Sequence, residues 1–196
     1  MVQFLVCLQV SRPSPVISTI IRLNGFYRIG FMATDIKELD AVLERLNSAR
    51  DRDEYHRILC DLAPIAKRYV DRISARFHED DFPKFNITWA LIGSCDESAV
   101  VLFCHAIKDS DKYVRWAASE ALSKCECEMA VAALVNALKD RSTLVKGVAV
   151  SSMKRLKPRS AASQLEKIVQ SKHLQTHSPG IVSDASIALA RIRNAE

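Results

Sequence analysis

A period dominates this chain and limits what it can fold into. Its clearest copy is Asp109–Leu122, DSDKYVRWAASEAL. Asp111 is a good helix N-cap, because a carboxylate there accepts from the free amides of the first turn. Behind it Val114, Ala117, Ala118, Ala121 and Leu122 fall at helical spacing and make one apolar stripe. The stripe is mostly alanine, so a neighbouring helix can approach closely. Sliding the sequence by 31 residues brings the pattern back. Lys108-Asp109 falls on Lys139-Asp140, Asp111 on Ser142, Val114 on Val145, Arg115 on Lys146, Ala118 on Ala149 and Leu122 on Met153. A fixed period of this size predicts stacked helical repeats.

The pattern extends in both directions. One step back, Ala121-Leu122 falls on Ala90-Leu91, with the helix start expected at Asp80 or Asp81, ahead of Phe82-Pro83. Forward, Ile181–Ile192 aligns after a longer step absorbed by Lys172–Gly180, with Ser178 as N-cap and Pro179 at the first helical position. Shorter first helices are expected at Glu97–Lys108, Ala130–Lys139 and Ala161–Gln170. Each repeat therefore reads as helix, tight turn, helix. Ahead of them, Asp35–Asn47 carries Leu39, Val42, Leu43 and Leu46 on one face, and Glu54–Phe77 is helical with a break or kink expected at Pro64. An irregular helical pair at this place would serve as a cap on the stack.

The signature resembles the short HEAT-like repeat of the phycobiliprotein lyase type, D-x-D-x-x-V-R-x-x-A-x-x-A-L. Asp109–Leu122 fits it closely and Asp140–Met153 in part, within a resemblance spanning about residues 66–193. It implies an all-α fold, an α-solenoid of stacked helical hairpins of the HEAT-like or armadillo type. The chain as a whole reads as three segments: an atypical N-terminal extension over 1–31, a helical cap over 32–79 and HEAT-like repeats over 80–196. Such a motif specifies a fold and hardly a function.

Hydrophobic content of 48% with 7% aromatic residues suits alanine- and leucine-rich helix stacking. The net charge is +5, and residues 1–31 supply +3 of it through Arg12, Arg22 and Arg28 with no acid. The remainder carries 25 basic and 23 acidic residues, which argues weakly for nucleic acid. Residues 1–31 read as sequence upstream of a natural start at Met32, as an acid-free targeting segment, or as irregular structure. The six cysteines sit mostly on apolar stripes and read as small buried hydrophobes in a reducing, cytoplasmic compartment. No run approaches the roughly 20 apolar residues of a membrane span.

No catalytic constellation stands out. His56 and Cys60 share a helix face and His173 and His177 are similarly spaced, but neither pair has the second pair a structural zinc site needs. Cys125-Glu-Cys127 likewise lacks a partner pair, and a helix over His173–His177 is doubtful on the sequence. Iron hydroxylases in the wider HEAT-like group place His-Glu pairs on second helices. The matching places here are Arg115-Trp116 and Lys146-Gly147, so that chemistry is not expected. Neither cofactor nor metal is expected. In such solenoids the second helices line the concave binding face. The expected function is a non-catalytic scaffold or adaptor for a protein partner, with contacts at Lys112, Tyr113, Arg115, Trp116 and Lys146. Two alternatives stay open: a phycobilin-lyase-like chromophore carrier or transferase, and a nucleic-acid-binding protein using the same basic and aromatic residues. The structural alternative is a solvated helix face with Trp116 partly packed.

Overall fold

The computed structural model describes residues 22–23, 26–27, 34–49, 51–79 and 82–194. The chain divides into two compact units, Met1–Glu38 and Leu39–Glu196. Within the first, β1 (Arg22–Leu23) pairs antiparallel with β2 (Phe26–Tyr27), Arg22 opposite Tyr27 and Leu23 opposite Phe26. The expectations for residues 1–31 otherwise lie outside the described residues, as do Asp80 and Asp81.

The second unit is helical. It begins within α1 (Thr34–Asn47), whose Leu39, Val42, Leu43 and Leu46 are all buried, as their spacing predicts. Helix α2 (Arg52–Arg68) starts where the Asp51 carboxylate accepts from the Glu54 amide at 2.8 Å. Pro64 lies inside α2, so of the break or kink expected there the break is not found. Both Pro64 and Cys60, whose carbonyl loses its partner, are exposed, so solvent can take the place of the missing hydrogen bond. The break comes at Tyr69 (φ −116°, ψ 21°), between the buried set Leu62, Ile65 and Ala66 and the set Val70, Ile73 and Phe77 on α3 (Val70–Arg76).

Four helices then form one layer: α4 (Lys84–Ala90), α6 (Lys112–Leu122), α8 (Thr143–Leu156) and α11 (Pro179–Arg193) pack in that order. A second layer contains α5 (Glu97–Ala106), α7 (Glu128–Ala137) and α9 (Ala162–Gln170), the last entered through a 3₁₀ turn at Arg159–Ala161. This is the α-solenoid the period predicts. The alanine stripe behaves as its composition implies: Ala117, Ala118, Ala121, Ala149, Ala185 and Ala188 are fully buried between helices. The stretched step before α11 is a short helix, α10 (Lys172–His177), where the sequence makes a helix doubtful. The rings of His173 and His177 stack at 4.5 Å along it.

Helix starts vary more than the aligned sequence suggests. Asp111 caps α6 through the Tyr113 amide at 2.8 Å, but Ser142 and Ser178 make no side-chain cap bond. Helix α4 begins after Pro83, two or three residues later than expected, because proline presets the first-turn backbone without needing a donor. Its C-terminal end turns through Gly93 at φ +95°, a conformation that costs other residues about 1 kcal/mol or more.

The cysteines depart from the expectation of small buried hydrophobes. Cys95 and Cys125 form a disulfide with 5.4 Å between Cα atoms, joining the loop before α5 to the loop before α7. Among the free cysteines, Cys60 and Cys127 are exposed and Cys104 is half-buried. Burial, with the nearby Cys127, pushes the Cys104 thiol up.

Candidate functional site

The turn before α6 and the start of that helix hold most of the expected contact residues. Arg115 occupies the repeat position of Lys84 and Lys146. Its guanidinium donates to both carboxylate oxygens of Asp140, at 2.8 and 3.1 Å, and to the carbonyls of Asp109 and Ser110, both at 2.9 Å. The residue is only 5% exposed. Planar two-pronged donation to a carboxylate is what the guanidinium fork favours.

The Asp140 hydrogen bonds hold Arg115 charged, raising it further above its ordinary range despite burial. Burial on its own would raise the Asp140 carboxyl. The Arg115 hydrogen bonds, the Ser142 amide and the charges of Arg115 and Arg141 outweigh it, so Asp140 sits below the usual carboxylate range. Arg115 therefore acts as a tie between repeats, with little of its surface left to a partner.

The same tie occurs one repeat earlier in weaker form. Lys84 Nζ lies 3.6 Å from Asp109 Oδ2, with side chains 20% and 14% exposed. Each carboxylate also closes its own turn, Asp109 accepting from the Asp111 amide at 2.8 Å and Asp140 from the Ser142 amide at 2.7 Å. One step further in sequence, 31 residues after Asp140, stands Ser171 in place of an aspartate, and Lys146 has no ion pair among the described residues.

The other expected residues lie at or near the surface. Tyr113 is 50% exposed and Lys112 Nζ sits 5.0 Å from its ring centroid. Lys112 and Arg115 line a cleft of about 610 Å³ with Asp111, Arg141, Ser142 and Leu144. Lys146 is half-buried on α8. Trp116 is half-buried and turned to α4, stacked on Phe85 at 6.4 Å and 17° and 5.2 Å from Trp89, which itself stacks on Phe85 at 5.9 Å. Lys112 and Trp116 thus share one face of α6, and a three-ring row continues it across α4.

Phe85 and Trp89 are the contact candidates that sequence reasoning missed, although the period carries the signal: Phe85 falls on Trp116. In the next repeat that place is Gly147, where an added Cβ would meet Ile181 at an ordinary 3.9 Å. The ring row therefore ends at α6, over a helix that leaves its equivalent place bare. Among the described residues no group of three or more His, Cys, Asp or Glu is arranged to hold a metal ion. No described helix is long and apolar enough to cross a membrane.

The structure of human deoxyhypusine hydroxylase in complex with glycerol is similar, with 12% identity and a TM-score of 0.49. The similarity covers 81% of this chain, which spans 63% of the length of that one. No curated protein matches the sequence. The family described as HEAT repeats matches residues 75–154 and 100–176, together more than half of the sequence. With its two layers of period-related hairpins, the chain belongs to the HEAT repeat family.

Proposed function

We propose that this HEAT-repeat chain is a non-catalytic scaffold that docks a protein partner on the concave face lined by α4, α6 and α8, and that the docked segment is acidic. The observation carrying this reading is the half-exposed row Phe85, Trp89 and Trp116 beside Lys112 and Lys146, two cations without an ion pair among the described residues. Rigid aromatic rings supply contact area at low entropic cost, and unpaired lysines at the edge steer a negatively charged segment. Helical repeats offer such extended faces because each unit contacts only its neighbours. The contact set is Phe85, Trp89, Lys112, Tyr113, Trp116 and Lys146, with Arg115 removed from it.

Affinity capture by the full chain, tagged at its C-terminus, tests the reading when run beside Trp116→Ala and Lys112→Glu/Lys146→Glu. One stoichiometric protein should be captured by the unaltered chain, through an acidic segment. Its affinity should fall by about 2 kcal/mol in Trp116→Ala, the scale of an interface hot spot. The lysine variant, which leaves the rings in place, should lose affinity mainly at low salt. Equal affinity in both variants refutes the proposal.

A further inference from the structure

A strong charge asymmetry runs through the last third of the chain and reaches beyond the partner face. Between Arg141 and Arg193 ten Lys and Arg accompany two acids, Glu166 and Asp184, and there is no Phe, Tyr or Trp. Both acids are already engaged, Asp184 by Lys154 at 2.8 Å and Glu166 by Arg193 at 2.6 Å.

The repeat places part of this excess in a row. Lys124, Arg155 and Arg191 hold equivalent positions at the ends of α6, α8 and α11, and Lys157 and Arg193 follow two residues later on the last two. Two contacts fix the row. Arg155 donates to the Ser123 carbonyl at the end of α6, and Arg191 donates at 3.2 Å to the Lys154 carbonyl at the end of α8. Guanidinium groups thus reach from each helix to the last turn of the one before. The three C-terminal ends therefore share one edge, with cations spaced by the helix-to-helix distance of about 10 Å.

Cations at helix ends are favoured by the macrodipole and by the free carbonyls there. That accounts for Arg191 and, together with its ion pair to Glu126 at 2.5 Å, for Arg155. It does not account for Lys124 or Lys157, which are exposed, contact no carbonyl and have no ion pair among the described residues. Lys157 moreover adopts φ +48°, a left-handed conformation where glycine is the ordinary occupant.

We propose that this edge, made by the C-terminal ends of α6, α8 and α11, binds the phosphodiester backbone of duplex nucleic acid without reading its bases. The absence of aromatic rings selects among polyanions. Single strands are held by stacking bases on rings, and none is present from Arg141 to Arg193. Protein interfaces and membrane surfaces likewise draw on aromatic anchors. A duplex backbone needs none of these, because counterion release alone drives its binding. DNA and RNA duplexes share that chemistry. This edge is separate from the ring row on α4 and α6, so the two proposals fail independently.

The test is fluorescence polarisation of the full chain with labelled 20-base-pair duplexes of mixed sequence, DNA and RNA in parallel. Three or four phosphate contacts predict an affinity falling about 100-fold between 50 and 200 mM potassium chloride, equally for unrelated sequences. Lys124→Glu/Lys157→Glu should weaken binding at least tenfold and flatten the salt dependence. The charge-matched Lys67→Glu/Lys139→Glu, away from the edge, should leave both near the unaltered values. Preference for the DNA or the RNA duplex then identifies the source. The proposal is overturned by absence of duplex binding at 50 mM salt, by tighter binding of an equal-length single strand, or by equal losses in the two double variants. Binding to phosphatidylserine vesicles in place of duplexes also overturns it.

Discussion

Replacing Arg115 with alanine separates a structural tie from a contact residue, and its cost can be worked from the geometry. The substitution removes four hydrogen bonds, two of them to a carboxylate whose side chain is only 11% exposed. Some groups keep a partner: Asp140 Oδ1 still accepts from the Ser142 amide, and the Ser110 carbonyl still accepts from Arg141 at 3.1 Å. Asp140 Oδ2 and the Asp109 carbonyl are left bare. Stranding one member of a buried ion pair costs about 3–5 kcal/mol. Because Arg115 borders the cleft above the turn, water should recover part of this, giving about 3 kcal/mol. Urea unfolding at pH 7 measures it, and the matching fall in Tm is about 6–12 °C for a domain of this size. Arg115→Lys, which keeps the charge but loses the fork, should cost about half as much. In a double-mutant cycle with Asp140→Ala, a coupling above about 1.5 kcal/mol is expected. A loss for Arg115→Ala below about 0.5 kcal/mol, or a coupling near zero, would return Arg115 to the contact set.

Three further outcomes follow from the same structure. Asp140 has a depressed folded carboxyl, so its contribution is present above the unfolded pKa of about 4 and is lost as pH falls below it. Acid unfolding of Asp140→Asn should therefore be flatter below pH 4 than that of the unaltered chain, and parallel curves would show that the shift is absent. The Cys95–Cys125 bond closes a sequence separation of 30 residues, worth about 3.5 kcal/mol of unfolded-state entropy. Cys95→Ser should lower stability by that order, and addition of reductant should then change nothing more. Finally, Lys157→Gly should stabilise by about 0.5–1 kcal/mol while Gly93→Ala destabilises by about 1 kcal/mol, since both backbones are left-handed and nothing lies within 4 Å of a Cβ at Gly93. Thermal melts that move both variants in one direction would contradict the backbone argument.

How far the sequence reveals this molecule depends on whether a feature is local or relational. Helices α6 and α8 follow from apolar spacing and a cap residue, so their places are plain from the residues alone. Arg115 is harder. Its membership of the motif is visible, but its partner Asp140 is 25 residues on, and in sequence that aspartate reads only as part of the next turn. A cation at a helix start looks unfavourable beside the macrodipole until the facing carboxylate is seen. The Phe85–Trp116 stack was open to the same shift by one period, but Pro83 beside it obscured where α4 begins. Cys95 and Cys125 were hidden for another reason: their separation of 30 misses the period by one, so they do not align as equivalents. Pro64 misled because its cost depends on whether the carbonyl it strands meets solvent.

The disulfide also decides how the molecule responds to being cut. The covalent loop from Cys95 to Cys125 contains the whole of α5 and α6. Lys108 stands exposed in the turn between them. A tryptic nick there opens the main chain yet releases no fragment, because the two pieces remain threaded through one sulfur bridge. On a non-reducing gel the nicked protein should migrate as a full-length species, and it should part into two bands only when thiol is added.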